Sequence, residues 1–202
     1  MRLLLLASFS VIASTAFADD LIDIPTARKI TFEDVRYEFR VQPDLRGDNQ
    51  QFLGIGIGKS FELDLRDIHT ALTAPVGTFD FAYSYIAALP GLSPGISFGV
   101  QDAANLTQDG RRFYGVMTFR NEMDNIPGNV YTDVSLGFQV GSLTSPFVGV
   151  SMPFSKTFYL LAEGSGFRVS GGIELRPSSR VNIRFLIRNN EPLLSLSAAG
   201  KF

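Results

Sequence analysis

Apolar and polar side chains alternate along nearly the whole chain. In one segment Val35, Tyr37 and Phe39 alternate with Arg36 and Glu38. Successive side chains of a β-strand point to opposite faces, so this period of two predicts strands with one apolar and one polar face. The clearest segments are 34–41, 53–58, 61–66, 79–85, 96–101, 130–140, 180–188 and 193–202, and the compatible ones are 111–120, 145–152, 157–163 and 168–176.

These segments predict an all-β fold, an antiparallel transmembrane β-barrel of about 12 strands, with 10 to 14 acceptable. A tilted strand needs about 9–11 residues to cross a bilayer, and the predicted strands are close to that length. An even number of strands puts both termini on the periplasmic side. We then expect the extracellular side to hold loops 42–50, 69–77 and 103–110. The periplasmic side is expected to hold turns 58–60, 153–156 and 177–179.

A soluble β-sandwich or a lipocalin-like barrel also produces alternating strands. Its polar faces meet water and are expected to carry many lysines. Here the polar faces are rich in Gly, Ser and Arg, and the chain has only four lysines. This composition favours the membrane barrel and leaves a soluble periplasmic β-domain that binds a partner as the third alternative.

The last ten residues form an amphipathic strand that ends on an aromatic residue. Leu194, Leu196 and Phe202 lie on its apolar face, as expected of a closing strand that meets lipid. The ending resembles the C-terminal signal with which outer-membrane barrels are recognised by the barrel assembly machinery. Gly200 stands where that signal usually has a second aromatic residue.

The N-terminus has the pattern of a secretory signal peptide. Arg2 precedes an apolar run from Leu3 to Ala13, and Ala16-Phe17-Ala18 forms a small-x-small cleavage site. The sequence therefore predicts a signal peptide at 1–18, a periplasmic segment leading into the barrel at 19–32, and the barrel at 33–202. The expected location is the cell outer membrane.

Composition excludes several classes of function. A net charge of −2 argues against a nucleic-acid partner, which requires a basic surface. The chain has no cysteine and one histidine, His69, with no nucleophile motif beside it, so we expect no enzyme activity, no metal and no cofactor. Asp102, Asn105 and Asp109 share one loop, but their spacing matches no calcium site.

The predicted lumen is rich in charge near both ends of the chain. One interpretation is an ion-pair network that fills the lumen, since buried charges need partners. The other is an arginine track for an anionic solute, since charged tracks set pore selectivity. The ion-pair candidates are Asp34, Arg36, Glu38, Arg40, Glu62, Asp64, Arg66, Asp80 and Glu174, and the track candidates are Arg168, Arg176, Arg180, Arg184 and Arg188.

Residues 21–28, Leu-Ile-Asp-Ile-Pro-Thr-Ala-Arg, resemble the opening of the YjbH-like outer-membrane proteins linked to exopolysaccharide production. The stretch 95–102, Gly-Ile-Ser-Phe-Gly-Val-Gln-Asp, is similar to their recurring Gly-x-x-Asp hairpin. The resemblance covers about a third of the mature chain, and the family members are several times longer. It implies a role in exopolysaccharide export or assembly, or in envelope structure, with lipid and polysaccharide as partners. The alternative is a porin-like channel for anions or acidic oligosaccharides.

Overall fold

A computed structural model describes residues 21–27, 34–43, 49–69, 76–107, 109–142 and 144–201. The predicted signal peptide, residues 28–33 and Phe202 lie outside these ranges. The strands are β1 Asp34–Val41, β2 Asn49–Ile57, β3 Phe61–His69, β4 Val76–Ile86, β5 Gly95–Gln101, β6 Arg112–Glu122, β7 Tyr131–Gly141, β8 Ser145–Pro153, β9 Phe158–Ser165, β10 Val169–Ser178, β11 Val181–Arg188 and β12 Glu191–Lys201.

Each strand pairs antiparallel with its neighbours in sequence, and β1 pairs with β12 to close the sheet. Tyr37 lies opposite Ala198 across this closing seam, and Val41 lies opposite Leu194. Closure leaves no unpaired edge among the twelve described strands. The structure confirms the predicted all-β barrel of about 12 strands.

The apolar face of the strands points outward and the polar face points inward. Phe98 and Phe113 are 51% and 59% exposed, whereas Thr118 and Glu174 are fully buried. Phe61 stacks against Phe81 on the outer surface, with 5.5 Å between ring centroids. An apolar exterior around a polar interior is the arrangement of outer-membrane barrel proteins. Among the described residues, no helix has the length and apolar composition that crossing a membrane requires.

The connections define two ends of the barrel. We call the end where β1 begins and β12 finishes the terminal end. The opposite end, where β1 joins β2 and β5 joins β6, is the loop end. The loop-end connection of β5 and β6 runs from residue 102 to residue 111, whereas β2 and β3 are joined at the terminal end by residues 58–60 alone.

Candidate functional site

Residues 21–27, which we call the lumen segment, lie inside the barrel. The sequence places them in a periplasmic segment outside the strands, but Ile22 is fully buried and Leu21, Ile24 and Ala27 are nearly so. Asp23 lies near the loop end, beside Arg40 and Arg188. Ala27 lies deeper, where its N–H donates to the Thr118 hydroxyl at 2.8 Å. The segment therefore runs along the lumen from the loop end towards the terminal end.

The Glu163 carboxylate on β9 holds the backbone of the lumen segment. It accepts hydrogen bonds from the N–H groups of Ile22 at 3.0 Å, Asp23 at 3.0 Å and Ile24 at 3.2 Å. A segment without helical or sheet hydrogen bonds needs other partners for its buried N–H groups. One inward-facing carboxylate supplies an acceptor for three of them.

The lumen segment also completes an apolar cluster inside the barrel. Leu21 and Ile24 pack over Gly149 of β8, where an added Cβ would lie 2.5 Å from the Ile24 Cδ1 and 2.7 Å from the Leu21 Cδ2. A side chain at position 149 would therefore occupy the space of the segment. The buried members of the cluster are Leu21, Ile22, Ile24, Ala27, Val116, Phe147, Leu161, Leu186 and Leu193.

Asp23 links the lumen segment to the arginines of the wall. Its Oδ1 lies 3.4 Å from the Arg40 Nη1 and 3.5 Å from the Arg188 Nη1. Burial raises the pKa of the Asp23 carboxyl, but Arg188 and Arg40 together lower that pKa below its ordinary value of 3.8. The carboxylate is therefore charged at neutral pH, and it neutralises part of the arginine charge at this end of the lumen.

Arg184 joins charges from the two ends of the chain in the middle of the lumen. Its Nε donates to the Glu174 Oε2 at 2.6 Å, and its Nη1 lies 3.7 Å from the Glu38 Oε1. Glu38 also accepts from the Arg40 Nε at 2.6 Å, and Glu174 also binds Arg176. All the charges in this group have partners of opposite sign, as buried charges require.

A second group of charges lies on β1, β3 and β4. Arg36 donates to the Asp64 Oδ1 at 3.2 Å and lies 3.8 Å from Glu62. Arg66 forms an ion pair with Asp80.

The ring of Phe52 lies between Arg40 of the first group of charges and Arg66 of the second. The Arg40 and Arg66 guanidinium carbons stand 4.4 Å and 5.0 Å from its centroid. Asp34 is buried at the terminal end, opposite Lys201 in the strand register.

The five track candidates occupy different heights of the barrel. Arg168 and Arg180 lie in connections rather than on strands, at the loop end and the terminal end. Arg168 pairs with Asp109 at 2.7 Å, and Arg188 pairs with Asp23. Arg176 pairs with Glu174 and stacks on Tyr159, with its guanidinium carbon 3.7 Å from the ring centroid. The candidates are spread between the two ends of the barrel, and Arg168, Arg176, Arg184 and Arg188 each face a carboxylate.

The β5–β6 connection covers the loop end and is organised by Asp102. The Asp102 carboxylate accepts from the Thr78 hydroxyl at 2.6 Å, the Leu106 N–H at 2.9 Å and the Thr107 N–H at 2.8 Å. Burial raises the pKa of Asp102, but these donors and the Thr107 hydroxyl lower it to about 2. Asn105 also bonds within the connection, to the Arg111 N–H. Asp102 and Asn105 therefore serve the loop itself, whereas Asp109, the third residue considered for calcium, pairs with Arg168 of the β9–β10 connection.

The apolar face of the closing strand agrees with the predicted orientation. Leu196 is half exposed on the barrel exterior, and Leu194 lies on the same face. Phe202 lies outside the described residues, so the insertion signal stays a prediction. His69 ends β3 at the loop end. No group of three or more His, Cys, Asp or Glu side chains in the described ranges could hold a metal ion.

Sequence reasoning missed the residues that hold the lumen segment. Glu163 lies on a strand whose alternation is weak, and Thr118 was one polar residue among many on inward faces. Asp23 was part of the quoted motif but had no role. The apolar residues Leu21, Ile22 and Ile24 could have predicted a buried segment, because a hydrophobic cluster is expected to be shielded from water.

Comparison with known proteins adds no assignment. A scan against models of protein families finds no match, and a search of curated proteins finds none.

Proposed function

We propose that this protein is an outer-membrane β-barrel that serves exopolysaccharide export or assembly, with its lumen closed by the lumen segment in the resting state. The observation that carries the closed state is the triple hydrogen bond from Ile22, Asp23 and Ile24 to Glu163. The polysaccharide role is supported by the resemblance of the same residues to the opening of the YjbH-like proteins. An apolar exterior supports the membrane location.

The filled lumen favours a role in assembly or structure over free diffusion. A barrel of about twelve strands has a size between side-chain-filled barrels and open porins. In this barrel the apolar cluster and the ion pairs of Arg184 occupy the interior together with the lumen segment. Passage of a polymer would require the segment to move.

Membrane location is tested by heat-modifiable migration on SDS gels of protein from the outer-membrane fraction. Folded membrane barrels resist SDS, so we expect the unboiled protein to migrate differently from the boiled one. Recovery from the soluble periplasm with no shift on boiling would refute the membrane barrel and favour a soluble β-domain that binds a partner.

The polysaccharide role is tested in the source bacterium. Deletion of the gene is expected to reduce secreted matrix polysaccharide, and the wild-type gene is expected to restore it. Glu163→Gln is the informative variant, and Glu122→Gln, an exposed change at the end of β6, is its control. Unchanged matrix in the deletion strain would refute this role while leaving the barrel and its location intact.

The channel alternative makes a different prediction in planar bilayers. An open anion channel would conduct in the wild type, and Arg184→Ala with Arg188→Ala would remove its anion preference. A lumen closed by the lumen segment is expected to give little conductance in the wild type and larger conductance once the segment is displaced. Steady wild-type conductance with anion preference would replace the proposal by the channel.

A further inference from the structure

Five arginines line one cavity at the loop end of the barrel. The cavity measures about 50 Å³, and its lining includes Arg40, Arg66, Arg112, Arg168 and Arg188. On the same measure a water molecule needs about 10–15 Å³, so the space suits a few waters or one small oxyanion. The lumen segment forms its floor through Ile22 and Asp23.

The carboxylates around the cavity neutralise four of the five arginines. Arg40 pairs with Glu38 and Arg66 pairs with Asp80. Arg188 faces Asp23, and Arg168 lies 2.7 Å from Asp109.

Arg112 is the fifth arginine of the lining, and it has no carboxylate of its own among the described residues. Its closest carboxylate oxygen in the described part of the chain belongs to Asp109 and is 3.9 Å away, and Asp109 is already bound by Arg168.

Arg112 is also short of hydrogen-bond acceptors. The residue is 9% exposed, and its Nε is buried without a partner among the described residues. The Nε of Arg66, which lines the same cavity, is in the same condition. A buried guanidinium requires acceptors for its donors, and the planar fork of arginine matches the oxygens of phosphate or carboxylate.

We propose that this cavity binds one oxyanion, a phosphate or carboxylate group, held chiefly by Arg112 with support from Arg66. Asp23 bounds the site on the side of the lumen segment, so the anion lies away from it, towards β3 and β6. The site shares Arg168 and Arg188 with the track candidates considered for ion passage, but its two principal ligands, Arg66 and Arg112, are not among those candidates. The site does not depend on the polysaccharide role, because anion binding is measured on the purified barrel.

The test is titration calorimetry of the folded full-length barrel in detergent micelles, with sodium phosphate and sodium glucuronate at constant ionic strength. We expect saturable binding of at least one of the two anions by the wild type. Phosphate alone would identify a phosphate group, and glucuronate alone would identify the carboxylate of an acidic sugar. Either result supports the site. If neither anion binds, the proposal is wrong.

Three variants and one control decide whether Arg112 carries the binding. Arg112→Gln removes the charge and is expected to weaken binding at least tenfold. Arg112→Lys keeps the charge but lacks the planar guanidinium fork, and it is expected to weaken binding less. Asp109→Asn frees Arg168 from its carboxylate and is expected to tighten binding. Arg111→Gln, an exposed neighbour, is the control.

Each variant is first checked for folding by its gel shift on boiling. Wild-type affinity in folded Arg112→Gln would overturn the proposal, and if that variant does not fold, unchanged affinity in both Arg112→Lys and Asp109→Asn would do so.

Discussion

The Glu163 Oε2 accepts a hydrogen bond of 3.0 Å from the backbone N–H of Ile22, a residue 141 positions earlier in the chain. The same carboxylate also accepts from Asp23 and Ile24. An unsatisfied buried N–H is costly, so these three donors require acceptors inside the lumen. A single side chain of the wall therefore supplies the acceptors for three backbone donors of the lumen segment.

Replacing Glu163 by Gln is expected to loosen the lumen segment. The amide offers one oxygen in place of two and turns an NH₂ group towards backbone donors. A loss of about 1.4 kcal/mol would speed hydrogen exchange of the Ile22–Ile24 amides about tenfold. Exchange measured by mass spectrometry checks this, with Glu122→Gln as control. Unchanged exchange in Glu163→Gln would show that apolar packing alone holds the segment.

Filling the space at Gly149 is expected to displace the lumen segment by steric means. An added Cβ there would meet the Ile24 and Leu21 side chains below 3 Å, and overpacking costs about 1–3 kcal/mol. The chain has no cysteine, so Ile22→Cys provides a single, fully buried labelling site that keeps both of these side chains. We expect maleimide to label Ile22→Cys faster when Gly149→Leu is added.

Gly164→Leu provides the matched control for this experiment. Gly164 lies on β9 next to Glu163, and an added Cβ would have no atom within 4 Å. Labelling at position 22 should therefore keep its original rate in the Gly164→Leu background. Equal acceleration by both changes would indicate general destabilisation of the barrel instead of displacement of the segment.

The fold was predictable because strand alternation is a local property of the chain. The period of two at Val35, Tyr37 and Phe39 identifies the face of each residue without knowledge of its neighbours. The antiparallel register then follows from short connections, so Glu174 and Arg184, which are opposed on β10 and β11, could be expected to meet.

The lumen segment and the pairing of charges across the barrel were not predictable in the same way. Arg184 also approaches Glu38, which lies beyond β12 on β1, and that contact depends on how far each side chain reaches across the lumen. Ile22 and Glu163 meet only after the barrel has closed. Such contacts have no local signal, although the apolar character of the segment indicated that it would be buried.

Removing Arg184 is expected to destabilise the barrel strongly. Its guanidinium lies between the carboxylates of Glu174 and Glu38, and all three side chains are almost fully buried. Breaking a buried ion pair by removing one partner typically costs about 3–5 kcal/mol. Urea unfolding of Arg184→Ala, followed by gel shift, measures the loss. Arg111→Ala, an exposed arginine whose Nε donates only to the Ala103 carbonyl, should lose no more than about 1 kcal/mol.

The β5–β6 connection is expected to lose stability in acid through Asp102. Its pKa is about 2 in the folded protein, below the ordinary value of 3.8. The ionised group therefore stabilises the fold fully above about pH 4, and this contribution disappears as the pH falls towards 2. The Asp102 N–H also donates to the Asp80 Oδ1 at 2.7 Å.

Asp102→Asn isolates this contribution from that of other carboxyls. We expect the variant to be less stable than wild type at pH 7, by about 1–3 kcal/mol for the lost charge-assisted bonds. The difference should shrink between pH 4 and pH 2, because protonation removes the same charge from the wild type. Urea unfolding of both proteins across this range measures it. A difference that stays constant down to pH 2 would mean that Asp102 acts through its shape and not through its charge.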